Sequence, residues 1–113
     1  MITKNIYDIS KSLPLDTEVF ENILCRDDIV IEKIISSGKG TPDDQWLSQD
    51  KDEWVILLQG SSEMSFENGK SVTLNSGDYI FIPSNLKHRV ERISSEPVCI
   101  WLAVHMKAEK IDE

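Results

Sequence analysis

Gln49, Glu53 and His88 are the side chains whose types and spacing best suit chemistry in this sequence. Gln49 and Glu53 are four residues apart, so in an extended segment they share one face. His88 supplies an imidazole, the side-chain type most often used for proton transfer. Together, an imidazole, a carboxylate and an amide carbonyl offer two chemistries. One is a mixed set of borderline and hard donors for a divalent transition metal (Zn, Mn, Fe or Ni), with water in the remaining positions. The other is a hydrogen-bonded Glu53–His88 pair that holds no metal and works as an acid and base. Further along, Trp101, Ala103 and His105 alternate onto one strand face. That face would line a ligand pocket with room over Ala103, or else Trp101 is plain core and His105 is solvated. Nucleophilic catalysis finds no support. Cys25 and Cys99 lack C-x-x-C spacing, and no G-x-S-x-G or phosphate-binding glycine loop is present. The aspartates at 43, 44, 50 and 52 lack the EF-hand pattern and read as a solvated acidic loop.

The elements that must position these residues belong to one small domain. A chain of 113 residues supports a single hydrophobic core. With 40% hydrophobic and 28% charged residues it lies in the globular range. A net charge of −8 argues against nucleic acid and anionic membrane surfaces, both of which are bound through clustered Lys and Arg. No apolar run approaches the roughly 18–20 residues of a membrane span, and the first fifteen residues lack the apolar core of a signal peptide. The expectation is a cytoplasmic protein with reduced, partly buried cysteines.

Strand signals dominate. Runs rich in β-branched and aromatic residues fall at 18–24, 29–35, 53–59, 63–67, 70–74, 79–82, 88–93 and 97–105, with Gly, Pro, Asn and Asp between them. Asn68-Gly69 predicts a type I′ hairpin turn. The 53–59 run is apolar on both faces, with Val55 and Leu57 on one and Trp54, Ile56 and Leu58 on the other. Many short strands with turn residues between them mean a β-sandwich or barrel, and no segment of ten or more residues has a convincing helical period.

The stretch 77–88 reads G-D-Y-I-F-I-P-S-N-L-K-H and resembles the second sequence motif of the cupin superfamily. Gly77, Pro83 and His88 keep that motif's spacing. Asn85 stands where the family has a second Gly, and Arg92 where it has a final Asn. Gly40, Glu53 and Gly60 match the frame of the first motif, but its two His positions fall on Trp46 and Ser48, or with a one-residue shift on Leu47 and Gln49. Of the family's three-His, one-Glu metal set the chain keeps His88 and Glu53, with Gln49 as a substitute. Trp46, Gln49, Glu53-Trp54, His88-Arg89-Val90-Glu91 and 101–105 are also similar to short bacterial cupins of unassigned function.

The resemblance implies an all-β, double-stranded β-helix or jelly-roll barrel formed by a single cupin domain over 1–113. It has an N-terminal arm at 1–17, a barrel core about 29–105 and a charged tail at 106–113. It implies an interior pocket where His88 meets Glu53 and Gln49, with Trp46 at the barrel mouth suited to stacking on a ligand. His105, facing inward, would supply an imidazole from an unorthodox position. The expected function is binding of a small molecule, with isomerase-, lyase- or oxygenase-type chemistry. The alternative is a non-catalytic ligand-binding or sensing module without tightly bound metal. Arg89, next to His88, should point outward to the surface or a subunit contact. The second apolar face of 53–59 predicts a homodimer, with the arm over 1–15 as the rival cover.

Overall fold

A computed structural model of the protein describes residues 1–10 and 18–109. The remainder of the expected arm (11–17) and the end of the expected tail (110–113) lie outside the described residues. Eight strands are present among those described: β1 Val19–Cys25, β2 Ile29–Ser36, β3 Lys51–Gln59, β4 Ser61–Phe66, β5 Ser71–Asn75, β6 Tyr79–Ile82, β7 His88–Ile93 and β8 Cys99–Lys107. They form two antiparallel sheets, one of order β1-β2-β8-β3-β6 and one of order β5-β4-β7. This is the expected all-β jelly roll. None of the described helical turns is long and apolar enough to cross a membrane.

Each sheet turns its apolar alternate residues toward the other. Val55 and Leu57 of β3, Trp101 and Ala103 of β8, Met64 of β4, Leu74 of β5, Ile82 of β6 and Ile93 of β7 form the core with Cys99. Leu57 and Ala103 are wholly enclosed. The last strand runs two residues into the segment expected as tail, because Met106 pairs with Ile29 and the Lys107 N–H donates to the Asp28 carbonyl.

Two glycines of the first motif have steric reasons to be glycine. A Cβ at Gly40 would collide with the Val90 carbonyl oxygen. Gly60 sits at φ +102°, and a Cβ there would lie 2.7 Å from Cys99 Sγ. Asn85 takes φ +66°, the left-handed conformation that Asn tolerates best after Gly.

The hairpin after β4 departs from the expected type I′ turn. Gly69 has φ +86° but Asn68 does not share the positive φ that such a turn needs. Instead the Gly69 N–H donates to Phe66 O at 3.0 Å and the Phe66 N–H to Lys70 O at 2.9 Å, closing a three-residue loop. Asn68 Oδ1 accepts the Lys70 N–H at 3.0 Å, a side-chain bond that replaces the second left-handed residue.

The outer face of the large sheet is covered unevenly. Lys33, Ile35 and Ile100 face outward by alternation and are nonetheless buried. Lys33 Nζ donates to the Asp8 carbonyl at 2.7 Å, so the N-terminal arm reaches this face. Toward the β6 edge, Trp54 packs on Tyr79 with ring centroids 5.5 Å apart, and Tyr79 and Phe81 are more than half exposed.

Candidate functional site

Alternation along three neighbouring strands sends a polar side chain into the space between the sheets. β3 contributes Glu53, β8 contributes His105, and β2 contributes Glu32. The β3–β8 register sets Glu53 opposite His105, and the β2–β8 register sets Val30 opposite His105 and Glu32 opposite Ala103. Glu32 therefore reaches His105 on the diagonal, and His105 Nε2 lies 2.8 Å from Glu32 Oε1. The sequence reading missed Glu32. The available signal was a charged pair, Glu32 and Lys33, within the otherwise apolar run at 29–35, with alternation sending the two to opposite faces.

His88 comes from the second sheet, at the start of β7. A bridge holds it in place: the Leu47 N–H donates to His88 O at 2.7 Å and the His88 N–H to Leu47 O at 3.0 Å. Two residues on, the Asn85 N–H donates to Gln49 O at 2.7 Å, and Asp52 Oδ1 accepts the Ser84 N–H at 2.8 Å. The 83–86 turn that Pro83 and Asn85 shape is thus tied to the approach to β3.

These elements enclose a cavity of about 310 Å³. His88, Glu53, Gln49, Trp101 and His105 all line it, with Glu18, Phe20 and Glu32 beside them. Within it, Gln49 Nε2 donates to Glu53 Oε1 at 2.7 Å. His88 Nδ1 is 3.0 Å from Leu86 O, which leaves Nε2 without a partner among the described residues. Glu53 and His88 thus do not form the direct hydrogen-bonded pair expected from sequence; each is held by a nearer neighbour. Trp101 is core and lining at once, its Nε1 donating to Ser36 Oγ at 3.1 Å.

Two expected roles change. Trp46 does not line the cavity. The Leu47–His88 bridge turns Leu47 inward and Trp46 outward, where Trp46 is nearly half exposed and the Arg89 guanidinium carbon stands 5.9 Å from its ring centroid. Arg89 points away from His88 as alternation requires, yet it is buried beneath its own chain rather than open to solvent or a partner. Its guanidinium donates to the carbonyls of Asp43 and Thr41, and its Nε lies 2.9 Å from Glu91 Oε1.

The cavity is electrostatically crowded with carboxylates. Burial and then the neighbouring charge of Glu32 push the Glu18 carboxyl above its ordinary range. The donors do not fit a resident cupin-type metal centre of three imidazoles and one carboxylate. Among the described residues no three His, Cys, Asp or Glu side chains converge closely enough to hold an ion. Gln49 presents its amide N–H to Glu53, which makes it a hydrogen-bond donor there rather than a carbonyl ligand, and His105 is engaged with Glu32.

Comparison with known proteins agrees with this architecture. A crystal structure from Ralstonia eutropha, named provisionally as a mannose-6-phosphate isomerase, superposes with a TM-score of 0.85 at 30% identity, covering 96% of this chain and 100% of its own. A conserved Streptococcus pyogenes protein of unknown function superposes at 0.72 with 18% identity, over 97% of this chain and 93% of its own, a likeness of fold alone. In sequence, 47 residues (42% of the chain) are 32% identical to part of the RCS-specific HTH-type transcriptional activator RclR of Escherichia coli; the match spans 16% of that protein's length. The cupin domain model matches residues 34–105, the span that carries the end of β2, all of β3 to β7 and most of β8, with Gln49, Glu53, His88 and His105 inside it and Glu32 just before it. By fold and by sequence, this chain belongs to the cupin family.

Proposed function

We propose that this cupin binds a small organic molecule between its sheets and moves a proton on it, as an isomerase or lyase does. The observation that carries the reading is a cavity of about 310 Å³ lined by two imidazoles and the carboxylates of Glu32 and Glu53. Proton transfer needs one group to take a proton and another to return it within reach of the same ligand. His88 and Glu53 are assigned that work, with Gln49 orienting Glu53. The name of the Ralstonia eutropha relative supports an isomerase. Its phosphorylated sugar suits this lining poorly, since among the described residues no Lys or Arg lines the cavity to meet a phosphate. A divalent metal (Zn, Mn, Fe or Ni) would enter only with further donors from a ligand. Elemental analysis of untagged protein purified without added metal tests that point, and a stoichiometric transition metal would replace the acid–base reading with a metal centre.

Binding itself is tested by thermal shift and calorimetry with a panel of small amines, alcohols, sugars and carboxylates, on wild type beside His88→Ala. Equal shifts in the two proteins, or none in either, would remove the cavity as the site. A non-catalytic sensing module is the second reading, favoured by the match to the Escherichia coli activator. A bound compound recovered chemically unchanged after long incubation would select it. A homodimer through the Trp54, Ile56, Tyr79 and Phe81 face belongs to the same proposal, supported by the exposure of its two edge aromatics. The unpaired state of Cys25 and Cys99 supports a cytoplasmic location.

A further inference from the structure

We propose that the molecule this cavity takes is an uncharged amphiphile, a small alcohol whose hydroxyl meets Glu53 or His88 and whose apolar body fills the other end of the space between the sheets. The inference rests on the reading of the cavity as the ligand site and adds the class of ligand to it.

The first observation is that the strands sort the lining into two tiers. Glu53 stands opposite His105 in the β3–β8 register, Glu32 reaches His105 from β2, and His88 opens β7. Two residues further along the same faces the lining is apolar: Val55 follows Glu53, Ile34 follows Glu32 and Val90 follows His88. Trp101 stands opposite Ile34 and Met64 opposite Val90, and both line the cavity with them. The strands carry this sequence in one direction. β2 and β3 both run antiparallel to β8, and Ser94, just past the end of β7, donates its N–H at 2.9 Å to the carbonyl of Ser61, which opens β4 after β3. Polar groups thus gather at one end of the cavity and an apolar wall takes the other.

The second observation is what each tier offers a ligand. In the polar tier Glu53 is already engaged by Gln49, and Glu32 by His105. Groups partnered in this way call for no compensating charge, and an anion would meet carboxylates with no Lys or Arg among the described lining residues. A hydroxyl can donate to the Glu53 carboxylate or the His88 imidazole without bringing a charge. In the apolar tier the one polar side-chain atom, Trp101 Nε1, is spent on Ser36 Oγ at 3.1 Å. A sugar would leave hydroxyls unpaired against that wall, which is costly, whereas a hydrocarbon body gains from burial there. Phe20 and Leu47 also line the cavity and are 58% and 44% exposed, so an apolar body would cover them in addition. At about 310 Å³ the space lies near the lower end of ligand pockets and suits a small molecule.

Heteronuclear NMR titration of the full chain reads weak binding and its place together. The probes are the straight-chain alcohols from ethanol to hexan-1-ol, the charged analogues hexanoate and hexylammonium, glycerol and mannose 6-phosphate. Affinity should rise roughly two- to fourfold with each added methylene, and hexan-1-ol should bind at least about tenfold more tightly than glycerol or mannose 6-phosphate. It should also bind more tightly than either charged analogue. Leu47→Ser and Val90→Thr each make the apolar lining more polar, and each should weaken hexan-1-ol about threefold while leaving ethanol and the circular dichroism spectrum unchanged. Affinity that does not rise with chain length, or tighter binding of a charged analogue, glycerol or mannose 6-phosphate, in either case lost in His88→Ala, would overturn the ligand class and leave the cavity reading intact. Length-dependent binding that both lining variants leave unchanged, or that perturbs the exposed Tyr79–Phe81 edge instead of the cavity, would also overturn it. No binding by any probe would overturn both.

Discussion

Replacing His88 by alanine should abolish ligand binding while costing little stability, and the structure sets the size of that cost. The imidazole is almost wholly removed from solvent, at 6% exposure, so a naive reading would class it with the core. Its contacts say otherwise. It makes one side-chain hydrogen bond, Nδ1 to Leu86 O at 3.0 Å, and one tilted ring contact with Phe66 at 6.3 Å between centroids. Losing a neutral hydrogen bond costs about 1 kcal/mol. The space vacated opens into a cavity that reaches solvent and carries Gln49 and Glu53 in its lining, so water can fill it and the dry-cavity penalty is not added. Leu57 provides the internal contrast: it is 0% exposed and packed within the core cluster, and Leu57→Ala should cost roughly 3–5 kcal/mol. Urea denaturation of the two variants beside wild type measures both numbers. A His88→Ala cost as large as that of Leu57→Ala would refute the assignment of His88 to the ligand site and make it a structural residue.

Arg89→Met should destabilise by about 2–3 kcal/mol, because it removes a buried charged donor from the carbonyls of Thr41 and Asp43, and faster hydrogen exchange in the 41–45 loop would accompany the loss. Unchanged melting would mean the loop is held by its backbone bonds alone. Glu18→Gln tests linkage. A carboxyl whose folded pKa is raised stabilises the protein only while protonated, below its ordinary value near 4.5, and that contribution is lost as pH rises through the raised value. The variant should therefore be the more stable protein at neutral pH, with the gap closing in acid; a gap that widens in acid contradicts the sign. Ile56→Asp should yield monomers in sedimentation where the wild type sediments as a dimer, and a wild-type monomer at tens of micromolar rejects the interface.

The cupin motif and the alternation of apolar residues carried the fold. Strand positions, the two-faced β3, the left-handed Asn85 and the glycine frame at Gly40, Gly60 and Gly77 were all legible, because each reflects a local constraint. φ sign, side-chain period and the absence of a Cβ are properties of a few neighbouring residues. Errors in the local reading came where two local solutions compete. Asn68-Gly69 can make a two-residue or a three-residue loop, and an Asn side-chain bond tipped the balance.

What the site does with its residues was decided only by tertiary register. His105 and Glu32 are 73 residues apart, and they meet because β2 and β8 pair in one register out of many. A slip of one residue would turn every one of those side chains to the other face. The same holds for Glu53, whose partner is Gln49 rather than His88, and for Trp46 and Arg89, which the Leu47–His88 bridge sends outward together. Alternation along one strand says which residues share a face. Which strand lies opposite, and so which carboxylate meets which imidazole, depends on the summed burial of both sheets and cannot be read from any single segment.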